Sequence, residues 1–217
     1  MTNMSKKSVR YDEGCLGAHA LNQIGDRWAL LVVRELMFQP RRFQMLRTGL
    51  PGITASILTQ RLQQLVESGI VTHDPDYGTY ALTDVGHQLM PVLQALCRWA
   101  LIMPGHDPTR FISPAALMIS LTTTRDAQAL SKIGATAAVL SGRDGFVLRP
   151  TAQGELAVTA NRDPVADFTL SGDGNALAAV FYGPLKVTAC GEYGAELHGD
   201  PVAAQDFIDC FSLQPQI

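Results

Sequence analysis

Residues 54–69, TASILTQRLQQLVESG, decide the fold of the first half of this 217-residue chain. The hydroxyl of Thr54 can cap a first helical turn by accepting a hydrogen bond from a free backbone amide. Gly69 is typical of the position just past a helix end. Four apolar side chains share one face at positions i, i+4, i+7 and i+8: Leu58, Leu62, Leu65 and Val66. The stretch therefore predicts a helix from residue 54 to about residue 68 with one buried stripe.

The segments on either side extend this pattern. Apolar residues at helical spacing predict further helices, and two extended runs flank a Pro-Asp-Tyr-Gly turn. Pro91 interrupts the last helix and is expected to bend it. The predicted elements are helices at 18–24, 28–36, 43–47 and 83–103 and a hairpin of strands at 70–74 and 79–82. Helix, turn, helix and hairpin in this order predict a winged helix–turn–helix.

The outward face of the 54–68 helix carries hydrogen-bonding groups without bulk or negative charge. Gln can bond adenine through both amide atoms, and Ser or Thr can reach bases or phosphates. Nearby arginines can hold phosphates, and the hairpin can touch the DNA backbone or minor groove. The candidate nucleic-acid contacts are Arg41, Arg42, Thr54, Ser56, Thr59, Gln60, Arg61, Gln63, His73, Tyr77 and Thr79. The alternative is a merely solvated amphipathic helix.

The second half of the chain differs from the first in composition and in predicted secondary structure. The Pro-Gly-His-Asp-Pro stretch at 104–108 predicts a boundary between domains 1–104 and 105–217. Glycine becomes frequent beyond it, and short β-rich runs alternate with two helical stretches. Strands are predicted at 117–122, 136–140, 146–149, 156–159, 167–170 and 185–189, and helices at 175–182 and 202–211. The fold class is α+β, with a mainly antiparallel sheet and packed helices in the second domain.

Composition excludes several classes of protein. Apolar residues make up 47% and charged residues 17%, which excludes intrinsic disorder. Apolar runs of 18 residues or more are absent, and the basic N-terminus is not followed by an apolar core, so we expect a cytoplasmic protein with no membrane partner. Residues 1–105 hold ten Lys and Arg against eight Asp and Glu, and residues 106–217 hold seven against twelve. This asymmetry indicates two modules with different partners.

The sequence contains no pattern that predicts catalysis. The five histidines lack HxxxH or HExxH spacing, and a GxSxG elbow is absent. Four scattered cysteines without a CxxC pair are expected to be reduced thiols. We therefore expect no catalytic residues, no metal, no cofactor and no enzyme.

The first domain resembles the HxlR family of winged-helix transcription regulators. Several spaced motifs carry the resemblance in order over about residues 15–103. They are IGDRWALL at 24–31, REL at 34–36, PRRF at 40–43, LPGI at 50–53, LTQRL at 58–62, Leu65, GIV at 69–71, YALT at 80–83 and Gly86.

This resemblance implies a homodimer that binds double-stranded operator DNA, the operator being a palindrome. The first and last helices of the domain would form the interface, with Leu89, Leu93, Leu96 and Trp99 facing the partner subunit in part. Cys15 falls where many family members carry a cysteine, some of which sense oxidants or electrophiles. The usual Cys-Pro-Val is here Cys-Leu-Gly, so the redox role is an open alternative to an inert thiol.

The second domain resembles a sterol-carrier-protein-like domain over roughly 111–213. Its specific matches are DFTLSGD at 167–173, the helix start at 176–177, GPLKV at 183–187 and Gly191. The resemblance implies an apolar tunnel and a hydrophobic small-molecule effector. Candidate pocket residues are Leu177, Val180, Phe181, Phe207 and Phe211, and the alternative for them is a packed core.

Three functions follow from these patterns. The first is a homodimeric transcription regulator modulated by a hydrophobic ligand in its second domain. The second is a lipid or acyl carrier that uses the winged helix only for dimerisation or docking. The third is an enzyme acting in a cavity of the C-terminal domain. The absence of a nucleophile–base pair from the sequence patterns argues against it.

Overall fold

The computed structural model describes residues 11–214, and its first half has the predicted helix and hairpin order. The elements are α1 (Leu16–Ile24), α2 (Ala29–Leu36), β1 (Arg41–Arg42), α3 (Phe43–Thr48), α4 (Ala55–Glu67), β2 (Val71–Asp74), β3 (Thr79–Leu82), α5 (Asp84–His87) and α6 (Met90–Leu101). The strands form an antiparallel sheet in the order β1-β3-β2. The winged helix–turn–helix prediction is confirmed, although the ends of the predicted domains, residues 1–10 and 215–217, lie outside the described residues.

Helix α4 forms as its sequence dictates. Thr54 Oγ1 accepts a hydrogen bond from the backbone amide of Ile57 at 3.3 Å, which satisfies one of the free donors of the first turn. Leu58, Leu62 and Leu65 are buried in the core, whereas Val66 is 37% exposed and does not belong to the buried stripe.

The long helix predicted over 83–103 is two helices. Thr83 caps the short α5 by accepting from the amide of Gly86, and α6 begins at Met90. Pro91 lies in the first turn of α6, where its missing N–H costs no hydrogen bond. The proline therefore starts a new helix instead of bending a continuous one.

The second half forms one five-stranded sheet with helices. Its elements are α7 (Pro114–Thr124), α8 (Ala127–Leu130), β4 (Ala137–Ser141), β5 (Asp144–Pro150), β6 (Leu156–Ala160), β7 (Phe168–Ser171), α9 (Gly174–Tyr182), a 3₁₀ helix (Val187–Tyr193), β8 (Glu196–Gly199) and α10 (Pro201–Ile208). The strand order is β6-β5-β4-β7-β8, and all pairs are antiparallel except β4 with β7. The prediction of an α+β fold with a mainly antiparallel sheet is confirmed.

Two predicted strands are wrong. Residues 117–122 lie in α7, which Ser113 caps by accepting from the amide of Ala116. Residues 185–189 overlap the 3₁₀ helix, whose first amide, Val187 N, donates to the side chain of Gln205. Strand β8 was not predicted.

Helix α7 connects two hydrophobic cores. Its Leu117, Met118 and Leu121 belong to the core of the second half, whereas Ile119 belongs to the core of the first half, beside Val32 and Leu36 of α2. A helix that is apolar all round is buried on all sides, which is why the same residues resemble a strand in sequence. Over residues 11–214, none of the helices combines the length and the apolar character needed to cross a membrane.

Candidate nucleic-acid interface

The outward face of α4 is polar and exposed. Ser56, Thr59, Gln60 and Gln63 are all exposed, opposite the buried leucines. Thr59 Oγ1 donates to the carbonyl of Ala55 at 2.9 Å, and Gln63 donates to Glu67 at 3.0 Å. The Gln60 side chain makes no hydrogen bond to residues 11–214 and is therefore available to a partner.

The hairpin of β2 and β3 forms a wing whose turn is held by side-chain hydrogen bonds. Asp74 Oδ1 accepts from the amides of Asp76 and Tyr77 at 2.9 and 3.2 Å, which fixes the turn. Tyr77 is 70% exposed at the tip. His73 stacks on Tyr80 of the next strand with ring centroids 4.4 Å apart.

Arg42 lies beside this wing. The register of β1 with β3 pairs Arg42 with Thr79, so these two predicted contacts are brought together. Arg42 is exposed. Thr79 directly follows the turn of the hairpin, so Arg42 is a cation near the tip of the wing, where it is well placed to meet a phosphate.

Arg41 has a different role from the predicted phosphate contact. Only 4% of it is exposed, and its guanidinium forms a bidentate ion pair with Asp144 of β5, with Nη1–Oδ1 and Nη2–Oδ2 distances of 3.1 and 2.9 Å. Its Nε donates to the carbonyl of Glu35 at 2.7 Å, and Gln39 also donates to Asp144. Arg41 therefore joins the winged helix to the second half of the chain.

Arg61 is also not a phosphate contact. It is 9% exposed and pairs with Asp26, with Nη2 and Oδ2 2.6 Å apart, while Nη1 donates to Gln64. Its position on α4 turns it inward, toward the segment before α2. The ion pair helps to hold α4 against the segment between α1 and α2.

The predicted dimer contacts divide into two groups. Leu96 and Trp99 are 44% and 57% exposed on α6. Leu93 is buried in its own core and Leu89 is half-buried against that core, so Leu93 is not an interface residue. Further exposed apolar side chains lie on or beside α1 and α6: Leu16, Leu21, Val85, Val92, Ile102 and Met103.

The predicted ligand pocket of the second half is mostly packed. Leu177 and Phe207 are fully buried core residues, and Phe207 contacts Phe168 and Phe211 ring to ring with centroids 5.5 Å apart. Val180, Phe181 and Phe211 are buried in the same core. They also border a cavity of about 320 Å³ at the ends of α9 and α10, which we call the C-terminal cavity. The pocket prediction is wrong for Leu177 and Phe207, because facing aromatic rings fill the space.

A larger cavity, of about 460 Å³, lies elsewhere. It is an open cavity lined by α6, residues 105–112, α7 and α9, and we call it the central cleft. Arg34 of α2 also lines it. Sequence reasoning missed the cleft. Glu35, a carboxylate on the apolar face of α2, does not line it but holds Arg34, which does. Glu35 is 2% exposed and accepts from Arg34 at 2.9 Å and Ser113 at 2.6 Å.

The four cysteines differ in exposure, and the thiol pKa is shifted in three of them. Cys15 is exposed at the start of α1, and hydrogen bonds from the backbone amides of Ala18 and Gly17 lower the pKa of its thiol. Burial raises the pKa of Cys97, and burial with neighbouring carboxylates raises the pKa of Cys210 to about 11.

We expect iodoacetamide to alkylate Cys15 first. A lowered pKa gives more thiolate at neutral pH, and the thiolate is the nucleophile. Mass spectrometry of peptides from a pH series should give Cys15 a rate profile whose midpoint lies below that of free cysteine. Cys97 and Cys210 serve as internal controls, and alkylation of either at the same rate as Cys15 would contradict the prediction.

The known proteins with the clearest sequence similarity match the first half of the chain. Residues 23–105 match the family model described as HxlR-like helix-turn-helix. An uncharacterized HTH-type transcriptional regulator of Methanothermobacter thermautotrophicus is 34% identical over 93 residues, 41% of this chain and 71% of that protein. Another, from Mycobacterium tuberculosis, is 37% identical over 101 residues, 44% of this chain and 63% of that protein.

A solved structure described as a UbiJ-SCP2 ubiquinone synthesis protein is similar over 57% of this chain and 92% of that chain. Its sequence identity is 19% and its TM-score 0.35.

Proposed function

Because the chain belongs to the HxlR-like helix-turn-helix family, we propose that it is a homodimeric transcription regulator that binds operator DNA with α4 in the major groove. The second half acts as the regulatory part of the protein. Its fold is proposed to be sterol-carrier-protein-like, as the 167–191 motifs imply.

The exposed face of α4 carries this proposal. A recognition helix needs an apolar face to hold it on the domain and a polar face toward the bases. Ser56, Thr59, Gln60 and Gln63 supply the polar face without any negative charge among them. A helix used only for docking or dimerisation does not need such a face.

The apolar surface of α1 and α6 supports the homodimer. Leu96 and Trp99 leave large apolar areas in water, and such patches mark interaction sites. Two recognition helices related by a two-fold axis would read half-sites about one helical turn of DNA apart, or a multiple of it.

The carrier function is less well supported than the regulator. A lipid or acyl carrier needs an apolar tunnel, but Leu177, Phe168 and Phe207 fill the space between the sheet and its helices. We therefore place small-molecule control outside that core.

Fluorescence anisotropy tests DNA binding. The full chain would be titrated against DNA from around its own gene, with a scrambled duplex and a salt series beside it. We expect a preference of roughly a thousandfold or more for one duplex, the usual margin of specific over non-specific sites. Equal, equally salt-sensitive binding to both duplexes across candidate promoters would overturn the proposal.

We expect Gln60→Ala to weaken binding to the preferred duplex about 5- to 150-fold, because one good side-chain pair with a base contributes about 1–3 kcal/mol of discrimination. Binding to the scrambled duplex should not change. Gln128→Ala, at an exposed glutamine of α8, is the matched control. Unchanged specificity in Gln60→Ala would remove Gln60 from the base contacts.

A further inference from the structure

We propose that the central cleft binds a neutral, mainly apolar molecule carrying one carbonyl-type acceptor oxygen, such as an aromatic ketone. The binding site can be tested on the protein without DNA. Its effect on DNA rests on the regulatory function proposed above.

The size and walls of the cleft suit such a ligand. Its volume of about 460 Å³ lies within the usual range of small-molecule sites. The walls are mainly apolar, with Leu93 and Leu101 from α6, Ile119 from α7 and Ala178 from α9. Leu93 and Ile119 are anchored in the core of the first half, so part of the wall is rigid.

Arg34 supplies a donor for an acceptor oxygen. Its Nε and Nη2 lie 2.9 and 2.8 Å from Glu35 Oε1, and Nη2 also donates to the carbonyl of Gly49 at 3.3 Å. Its Nη1 makes no hydrogen bond to any residue that the structure describes. The side chain is 21% exposed and lines both the central cleft and a smaller cavity of about 240 Å³, so this nitrogen is open to a ligand as well as to water. A carbonyl oxygen would satisfy it.

The charges at the cleft favour a neutral ligand. Glu35 already neutralises Arg34, and Asp107 binds Arg110 Nε at 3.3 Å and the Thr109 hydroxyl at 2.6 Å. A carboxylate ligand would therefore enter an apolar space without an unpaired cation, which is unfavourable.

Three hydroxyls at the cleft, those of Ser120, Thr124 and Tyr182, form hydrogen bonds with one another. Thr124 donates its single proton to the carbonyl of Ser120 at 3.0 Å, so Tyr182 donates to Thr124 and accepts from the Ser120 hydroxyl, both at 2.9 Å. Burial raises the pKa of Tyr182 to about 12, so this phenol stays neutral at physiological pH. These three hydroxyls add polarity to the wall of the cleft without adding charge.

The position of the cleft explains how a ligand would act. Helix α6 contributes Leu93 and Leu101 to the cleft and presents Leu96 and Trp99 to the proposed partner subunit. A ligand that prefers one placement of α6 would change the spacing of the two recognition helices. It can do so only through different affinity for the two arrangements.

The probe is Prodan, a neutral naphthalene ketone whose emission moves to the blue in apolar surroundings. Titrating it with the full chain, without DNA, should give a saturable blue shift. The analogue that lacks the ketone should bind about tenfold more weakly or worse, because a hydrogen bond from a charged donor is lost. Equal affinity for both probes would overturn the acceptor assignment, and the absence of saturable binding would overturn the site.

Two variants locate the probe. Ala100→Phe adds a ring to the wall of the central cleft and should weaken Prodan binding at least tenfold, whereas Leu185→Phe, at the C-terminal cavity, should bind like the wild type. Circular dichroism confirms that both variants fold. Loss of binding in Leu185→Phe alone would place the probe in the other cavity and overturn the proposal.

The DNA titration separates this proposal from the regulatory function. Prodan binding by a protein that prefers no duplex would keep the cleft site and overturn only its regulatory role. Specific DNA binding by a protein that does not bind Prodan would overturn the cleft site alone. If both hold, operator affinity should change when Prodan saturates the protein, and an unchanged affinity would overturn the coupling.

Discussion

Asp144→Ala is expected to lower the free energy of unfolding by about 3–5 kcal/mol, because it leaves the Arg41 guanidinium buried without its counter-charge. Arg41 is 4% exposed and Asp144 8%, so water cannot replace the lost partner. Urea unfolding of the wild type and the variant, followed by circular dichroism, measures the difference.

The double replacement of Arg41 by Met and Asp144 by Leu tests whether the loss of stability in Asp144→Ala comes from the unpaired charge of Arg41. Replacing both partners of a buried pair by apolar residues is often neutral or stabilising, so the double variant should recover most of the stability lost in Asp144→Ala. Glu196→Ala is the control, since Glu196 and His198 form an exposed pair, and it should unfold like the wild type. Wild-type stability in Asp144→Ala would contradict the buried ion pair.

The same variants test the corrected role of Arg41. If Arg41 binds Asp144 and not DNA, the double variant should keep the salt dependence of DNA binding. Arg42→Ala should reduce the slope of log affinity against log salt by about one, as the loss of one phosphate contact requires. A reduced slope in the double variant would return Arg41 to the DNA interface.

Trp99→Asp is expected to give a monomer and to weaken binding to a palindromic operator by about 10²- to 10⁴-fold. The charge would lie in the apolar surface proposed to meet the partner subunit, where Trp99 is 57% exposed. The large effect on DNA follows because the second half-site loses the effective concentration that a dimer provides. Sedimentation velocity gives the mass, and anisotropy gives the affinity.

Val165→Asp is the matched control for this experiment. Val165 is 85% exposed in the loop before β7, so the same new charge there should change neither mass nor affinity. A half-site duplex completes the test, since Trp99→Asp should bind it about as tightly as it binds the palindrome. A variant that keeps twice the monomer mass would contradict the α6 interface.

The winged helix could be predicted because its signals are local. Thr54 and Gly69 mark the ends of α4, and leucines at helical spacing mark its buried face within one stretch of sequence. Helix α7 could not be assigned in this way. Its run of Leu117 to Leu121 is apolar on every side, and periodicity alone does not distinguish such a segment from a buried strand.

The sequence predicted the exposure of the candidate site residues only where no long-range contact buries them. The exposed residues of α4 and the wing occupy the expected surface. Arg41 does not, because its partner Asp144 lies 103 positions away, and no local pattern indicates that contact. The central cleft arises from the packing of α7 against α6 and α9, so it has no motif of its own.

Helix α7 limits how the two halves of this chain can be separated and joined to other domains. One of its sides lies on α2 and α6 and carries Ile119, and the other side completes the core around the five-stranded sheet. A gene fusion that transplanted the sheet to another winged helix would expose Ile119 unless the recipient offered a matching apolar groove. The two halves are therefore expected to be inherited together, with changes in α7 compensated by changes in α2 and α6.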